Sequence, residues 1–168
     1  MKNKDLQVNM TEEEFQRISE KALRFVCLTA SPMALYFLCF ARQGIFFLSG
    51  DAFSGSILPM QIIMPTLLLI GITNIFGIQI LLPLGKEKIV LYSEIAGAVT
   101  DLILNALLIP RFRSAGAAVG TLAAEIVGLL VQAGTIRKIM PDIFQLTIWK
   151  KILPALGVAS AAALWVPL

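Results

Sequence analysis

Four polar side chains interrupt the apolar middle of the chain: Glu94, Asp101, Asn105 and Glu125. The first three recur at steps of seven and four, in register with Ser93, Gly97 and Ala98, so they share one face of any helix that carries them. Acids at that spacing can hold a proton or a cation, pair with a buried base, or line a polar path through an apolar layer. Catalysis has little to draw on. There is no His, which removes the commonest general base and metal ligand. Cys27 and Cys39 both lie in apolar sequence without metal-ligand spacing, and they read as reduced packing residues. No catalytic residue, metal site or cofactor is expected, and the chain is not read as an enzyme.

The surroundings of those acids set their meaning. Apolar residues make up 57 % of the 168 and charged residues 15 %, against roughly 45–50 % and about 25 % in soluble domains. Mean hydropathy is +0.81, too high for a core of this size to hide its apolar side chains. That excludes a soluble enzyme, a disordered tail and a secreted disulfide scaffold. It leaves an all-α, polytopic membrane helix bundle whose first partner is the lipid bilayer. The net charge of +3 does not indicate nucleic acid, because the bases are scattered between apolar stretches instead of forming one patch.

Residues 1–21 form a polar segment in which Thr11 and Glu14 have capping-box spacing and Phe15, Ile18, Ala22 and Phe25 recur at helical steps, which predicts an amphipathic helix running into the first span. The transmembrane domain, 22–168, divides by the need for about 20 apolar residues per crossing. Spans are expected at about 22–48, 57–82, 89–109, 115–136 and 152–168, four or five in all because the last is short. Ser31-Pro32 should kink the first and Pro65 the second, and Pro110 should stop the third. Gly50, Asp51 and Gly55 mark a turn, Arg111-Phe112-Arg113-Ser114 another, Pro141-Asp142 a third, and Trp149-Lys150-Lys151 an interface. With the N-terminus cytoplasmic, 11 of the 14 basic residues lie inside and only Arg42, Arg111 and Arg113 outside; the positive-inside rule selects that orientation.

Within those spans Asp101 lies ~18 Å beyond Ile89 and Glu125 ~15 Å beyond Ala115 at 1.5 Å per residue, so both fall near the midplane. Glu94 is nearer the cytoplasmic headgroups. An acid at the bilayer centre costs about 2.5–3.5 kcal/mol on insertion scales, so these groups should face a cavity, a partner helix or each other. Glu94, Asp101, Asn105, Glu125 and Arg42 are therefore the candidate lining of a substrate path, with helix-locking pairs as the structural alternative and headgroup snorkelling as that for Arg42. Gly116, Gly120, Ala124 and Gly128, at steps of four, form a small-residue stripe that lets another helix approach closely.

Taken in order, Leu82-Pro83-Leu84-Gly85-Lys86-Glu87-Lys88, Asn105-Ala106-Leu107-Leu108-Ile109-Pro110-Arg111-Phe112, Ala115-Gly116-Ala117-Ala118 and Glu125 resemble the C-terminal part of polysaccharide flippases. These are the Wzx-type O-antigen transporters of the multidrug/oligosaccharidyl-lipid/polysaccharide exporter superfamily. Arg24-Phe25, Ser31-Pro32 and Gly50-Asp51-Ala52-Phe53 are compatible, and the resemblance runs from about Glu13 to Lys151. It implies one partial lobe of a MATE-like fold, in a protein that moves undecaprenyl-diphosphate-linked oligosaccharide across the bacterial inner membrane by alternating access. It also implies a fragment, from a split or truncated gene, that works with a separate N-terminal lobe or as a homo-oligomer. Asp101 stands where many members carry Asn, which makes the lining more acidic. Two other functions stay open: a small structural or interaction membrane protein without transport activity, and part of a drug/cation antiporter of the same superfamily.

Overall fold

The computed structural model describes residues 11–141. The polar residues before Thr11, the Trp149-Lys150-Lys151 interface, the apolar stretch 152–168 and most of the Pro141-Asp142 turn lie outside the described residues.

The described chain is helical and contains no strand. Helix α1 (Glu12–Cys39) starts at a capping box: the Thr11 hydroxyl accepts from the Glu14 backbone N–H at 3.2 Å and the Glu14 carboxylate accepts from the Thr11 N–H at 3.1 Å. Glu12, Glu13 and Glu14 in the first turn complement the helix dipole. The helix runs on through Pro32, where the sequence places a kink, to its C-cap at Phe40 (φ −102°, ψ 18°). Proline removes one backbone donor and strains its own turn without ending this helix. Helix α2 (Ala41–Ser49) follows, closed by Gly50 at φ 76°, a left-handed conformation that glycine adopts without a Cβ penalty.

A 3-10 segment (Asp51–Ser56) leads into α3 (Ile57–Ile63), whose first turn carries Pro59. Pro65 interrupts the rod as expected from the sequence, separating α3 from α4 (Thr66–Asn74). The rod ends in a π-helical segment (Ile75–Leu81), seen in the Leu82 N–H donating to the Gly77 carbonyl at 2.9 Å. The Gln61 amide donates to the Leu38 carbonyl near the end of α1 at 3.2 Å, close to the Phe40 break.

After a turn through Gly85 (φ 68°), α5 (Glu87–Ile139) has 53 residues, yet it is not one straight rod. Pro110 lies inside it, so the expected stop at that residue is corrected: the first limb continues to Phe112. The chain reverses at Arg113 (φ 51°, ψ −126°), and residues 114–139 return antiparallel to residues 87–112. Gly97 faces the Ala124 carbonyl, and Gly116 faces the Leu108 carbonyl.

The buried core gathers Leu23 and Cys27 of α1, Ile72 of α4, Ile75, Phe76, Ile80 and Leu81 of the π segment, and Ala133 and Ile136 of the returning limb. It occupies one end of the bundle. Elsewhere large apolar side chains point outward: Leu28 is 76 % exposed, Phe47 90 % and Leu102 72 %. Water would oppose such a surface at about 25 cal/mol per Å², whereas lipid does not. Three helical stretches, Glu12–Cys39, Asp51–Leu81 and Glu87–Ile139, are long and apolar enough to cross a membrane, which marks a membrane protein.

Candidate functional site

The two limbs of α5 approach closely because small residues face each other across the seam. A Cβ added at Gly120 would fall 2.5 Å from Asn105 Oδ1 and 3.2 Å from Asp101 Oδ1. These two oxygens therefore crowd over the bare Cα of residue 120. Both are buried, and neither has a hydrogen-bond partner. Two acceptors facing one point without a donor are a costly arrangement, relieved by a proton, a water or a cation.

Just beyond them the seam widens. A cleft of about 240 Å³ is lined by Ser93, Glu94, Gly97, Ala98, Asp101, Thr121, Ala124, Glu125 and Gly128 of α5 together with Thr73 of α4. An adjoining cleft of about 270 Å³ shares Thr73, Glu94 and Glu125 and continues along Asn74, Gly77, Val90 and Gln132. Thus three of the four acid or amide positions singled out in the sequence, Glu94, Asp101 and Glu125, open onto one cavity, and Asn105 sits next to it over Gly120. The stripe Gly116, Gly120, Ala124 and Gly128 lies against the outgoing limb of the same helix. Its partners are Leu108, Asn105 with Asp101, Gly97 and Ser93 in turn.

Arg42 is not part of this group. It is exposed in the first turn of α2, with its guanidinium 5.5 Å from the centre of the Phe46 ring, a cation–π contact at the surface. No Lys or Arg lines either cleft. The wall is therefore electrostatically one-sided.

Gln132 went unnoticed in the sequence. It is 1 % exposed, and its Nε2 donates to Ser93 Oγ at 2.9 Å, the buried link between the two limbs. Ser93 in turn donates to the Val90 carbonyl at 2.6 Å. A signal for it existed: 132 is the next step of four after 116, 120, 124 and 128, and it is polar. Thr73 carries no such signal, since only the packing of α4 on α5 brings it to the acids. Among the described residues no group of three or more His, Cys, Asp or Glu is placed to hold a metal ion.

The arrangement can admit water or a small cation into an apolar bundle and hold it against carboxylates. Comparison with family models, with curated proteins and with solved structures finds no match.

Proposed function

We propose that this chain is an acid-lined lobe of a membrane exporter, best read as part of a lipid-linked oligosaccharide flippase of the multidrug/oligosaccharidyl-lipid/polysaccharide exporter superfamily. The observation that carries a transport reading is the cavity shared by Glu94, Asp101 and Glu125 between α4 and the limbs of α5. Membrane proteins seldom place ionisable groups in their apolar layer except along a path, a relay or a paired contact, and no base faces these acids in the cleft. On this reading the described residues cross the inner membrane four times. The crossings are α1, the rod 57–81, and the limbs 87–112 and 114–139, with the N-terminus and the Lys86-Glu87-Lys88 turn cytoplasmic. Alternating access needs two bodies rocking about a site near the midplane. The second body would be further helices of the same transporter or a second copy of this chain, and the undecaprenyl-diphosphate-linked substrate would draw its cationic contacts from there.

One observation favours a second reading, a drug/cation antiporter of the same superfamily: the cleft wall holds acids and no Lys or Arg, which suits a cationic cargo better than a diphosphate. Complementation separates the two. The chain is co-expressed with a complementary N-terminal lobe in a strain lacking its O-antigen flippase, and separately in a strain lacking its main drug exporters. Restored surface polysaccharide, lost again in Glu125→Gln, is the expected result. Drug resistance without polysaccharide would replace the flippase by the antiporter. Rescue of neither by an assembled, membrane-inserted complex would overturn transport and leave a structural membrane protein.

A further inference from the structure

We propose that residues 41–63 form a hinged flap at the end of the bundle away from the buried core, latched by the hydrogen bond from Gln61 to Leu38 and swinging on Phe40 and Pro65. Both hinges arise from the backbone. At Phe40 (φ −102°, ψ 18°) α1 stops and α2 starts, and the last carbonyls of a helix have no donor within it. Pro65 has no N–H, so the Gln61 carbonyl four residues back loses its helix bond. Beyond it α4 restarts loosely, with the Leu68 and Leu69 N–H groups both donating to the Pro65 carbonyl, at 3.2 and 3.4 Å. Gln61 stands at both breaks. Its own carbonyl is the one that Pro65 leaves open, and its Nε2 donates to the Leu38 carbonyl, in the last turn of α1, at 3.2 Å. Residues at element ends that absorb φ/ψ changes are where rigid pieces of a protein turn on one another.

Packing differs on the two sides of the hinges as a flap requires. Between 41 and 63 Ala41 is the one buried residue, and Gly44, Gly50 and Gly55 have nothing within 4 Å of where a Cβ would sit. Helix α3 leans on α5 with none of its side chains buried. Past Pro65, by contrast, Ile72, Ile75, Phe76, Ile80 and Leu81 are buried in one cluster with Leu23 and Cys27 of α1. At 1.5 Å per residue Phe40 lies ~20 Å along the chain from Cys27 and Pro65 ~10 Å from Ile72, so both hinges sit clear of that core. Regions with few buried contacts open at lower free energy than the core does. Lipid lowers the cost further, since uncovering Met60 or Ile62 there brings no hydrophobic penalty. Opening then breaks chiefly one neutral hydrogen bond, from Gln61 to Leu38, which contributes a factor of about five to the closed state. The flap does not depend on any cargo; on the exporter reading above it gates one end of the path.

The test measures distances between spin labels on the full chain in lipid nanodiscs, with Cys27 and Cys39 replaced. One pair of labels sits at Phe47 on the flap and Leu107 on α5, 90 % and 62 % exposed. The other sits at Lys21 and Lys88, both exposed and next to the core. Two distances are expected for the flap pair and one narrow distance for the core pair. Gln61→Leu removes the latch at similar size and should raise the ratio of open to closed flap about fivefold. Pro65→Ala returns the N–H that the Gln61 carbonyl lacks, so it should stiffen the hinge and lower that ratio severalfold. Gln43→Leu, exposed on α2, should leave it unchanged. Pro65→Ala carries the test if Gln61→Leu fails to fold. A flap-pair distribution that is the same in the parent, Gln61→Leu and Pro65→Ala would overturn the inference. So would broadening of the core pair in step with the flap pair, which would mean that the whole bundle loosens. A rigid flap leaves the exporter reading standing, and failed complementation leaves the flap standing.

Discussion

Replacing Gly116 and Gly128 by alanine should move stability in opposite directions, although both belong to one stripe of small residues. A Cβ at 116 would fall 2.6 Å from the carbonyl carbon and oxygen of Leu108 and 3.0 Å from the backbone nitrogen of Ile109. All three atoms are main chain of the opposing limb, so no rotamer change relieves the clash. Restoring ordinary contact at 3.4 Å requires the limbs to separate by about 0.8 Å. A gap of that size forfeits a quarter to a half of the dispersion energy of each contact it opens. Overpacking of this kind costs about 1–3 kcal/mol, offset by ~0.5–1 kcal/mol because alanine is the better helix former. The expected net loss is centred on ~1 kcal/mol, or roughly 2–4 °C at 2–4 °C per kcal/mol. At Gly128 the nearest atom is Ser93 O at 3.7 Å, an ordinary contact, so only the propensity gain of up to ~1 kcal/mol remains. Gly134→Ala, with nothing within 4 Å of its Cβ, gives the baseline for that gain. The assay is thermal or denaturant unfolding in detergent micelles, with all four proteins handled identically. Equal stabilisation of Gly116→Ala and Gly128→Ala would refute the close antiparallel packing of the two limbs.

Arg113 holds φ 51° and ψ −126°, a region costly for a side chain, so Arg113→Gly should raise stability by about 1 kcal/mol, read by the same unfolding assay; a loss would place the reversal elsewhere. Asp101→Asn removes charge from the cleft while keeping its shape, and no base lines that cleft, so folding should be unchanged or slightly improved. A loss of about 3–5 kcal/mol would instead reveal a stranded buried partner. Single cysteines at positions 87 and 112, in a chain freed of Cys27 and Cys39, should label from opposite sides of the membrane. An impermeant thiol reagent applied to intact cells should reach 112 and spare 87, and the reverse pattern would invert the topology.

Much about the elements was local and therefore readable in the chain. The capping box at Thr11 and Glu14 needs only residues three apart, and it forms as the spacing dictates. The interruption at Pro65 follows from a missing donor, and the placement of long apolar helices in lipid follows from composition alone. Where a choice depended on packing between distant segments, the sequence was ambiguous. Pro110 looked like a helix stop, yet the helix continues through it to Arg113. A proline withdraws one hydrogen bond, and the packing around it decides whether the helix survives that loss. The π segment at Ile75–Leu81 left no mark in the residue types, because its wider turn fits a neighbour: Gly77 lies against the Gln132 amide, 3.4 Å from where its Cβ would be. The spacing of Glu94, Asp101 and Asn105 fixed that they share a face, since a helix returns to the same side at steps of four and seven. That Glu125, Thr73 and Gln132 share a cavity with those acids was decided only when Arg113 turned the chain back on itself and α4 packed across the seam, because a helix's own periodicity carries no information about which other helix it will meet.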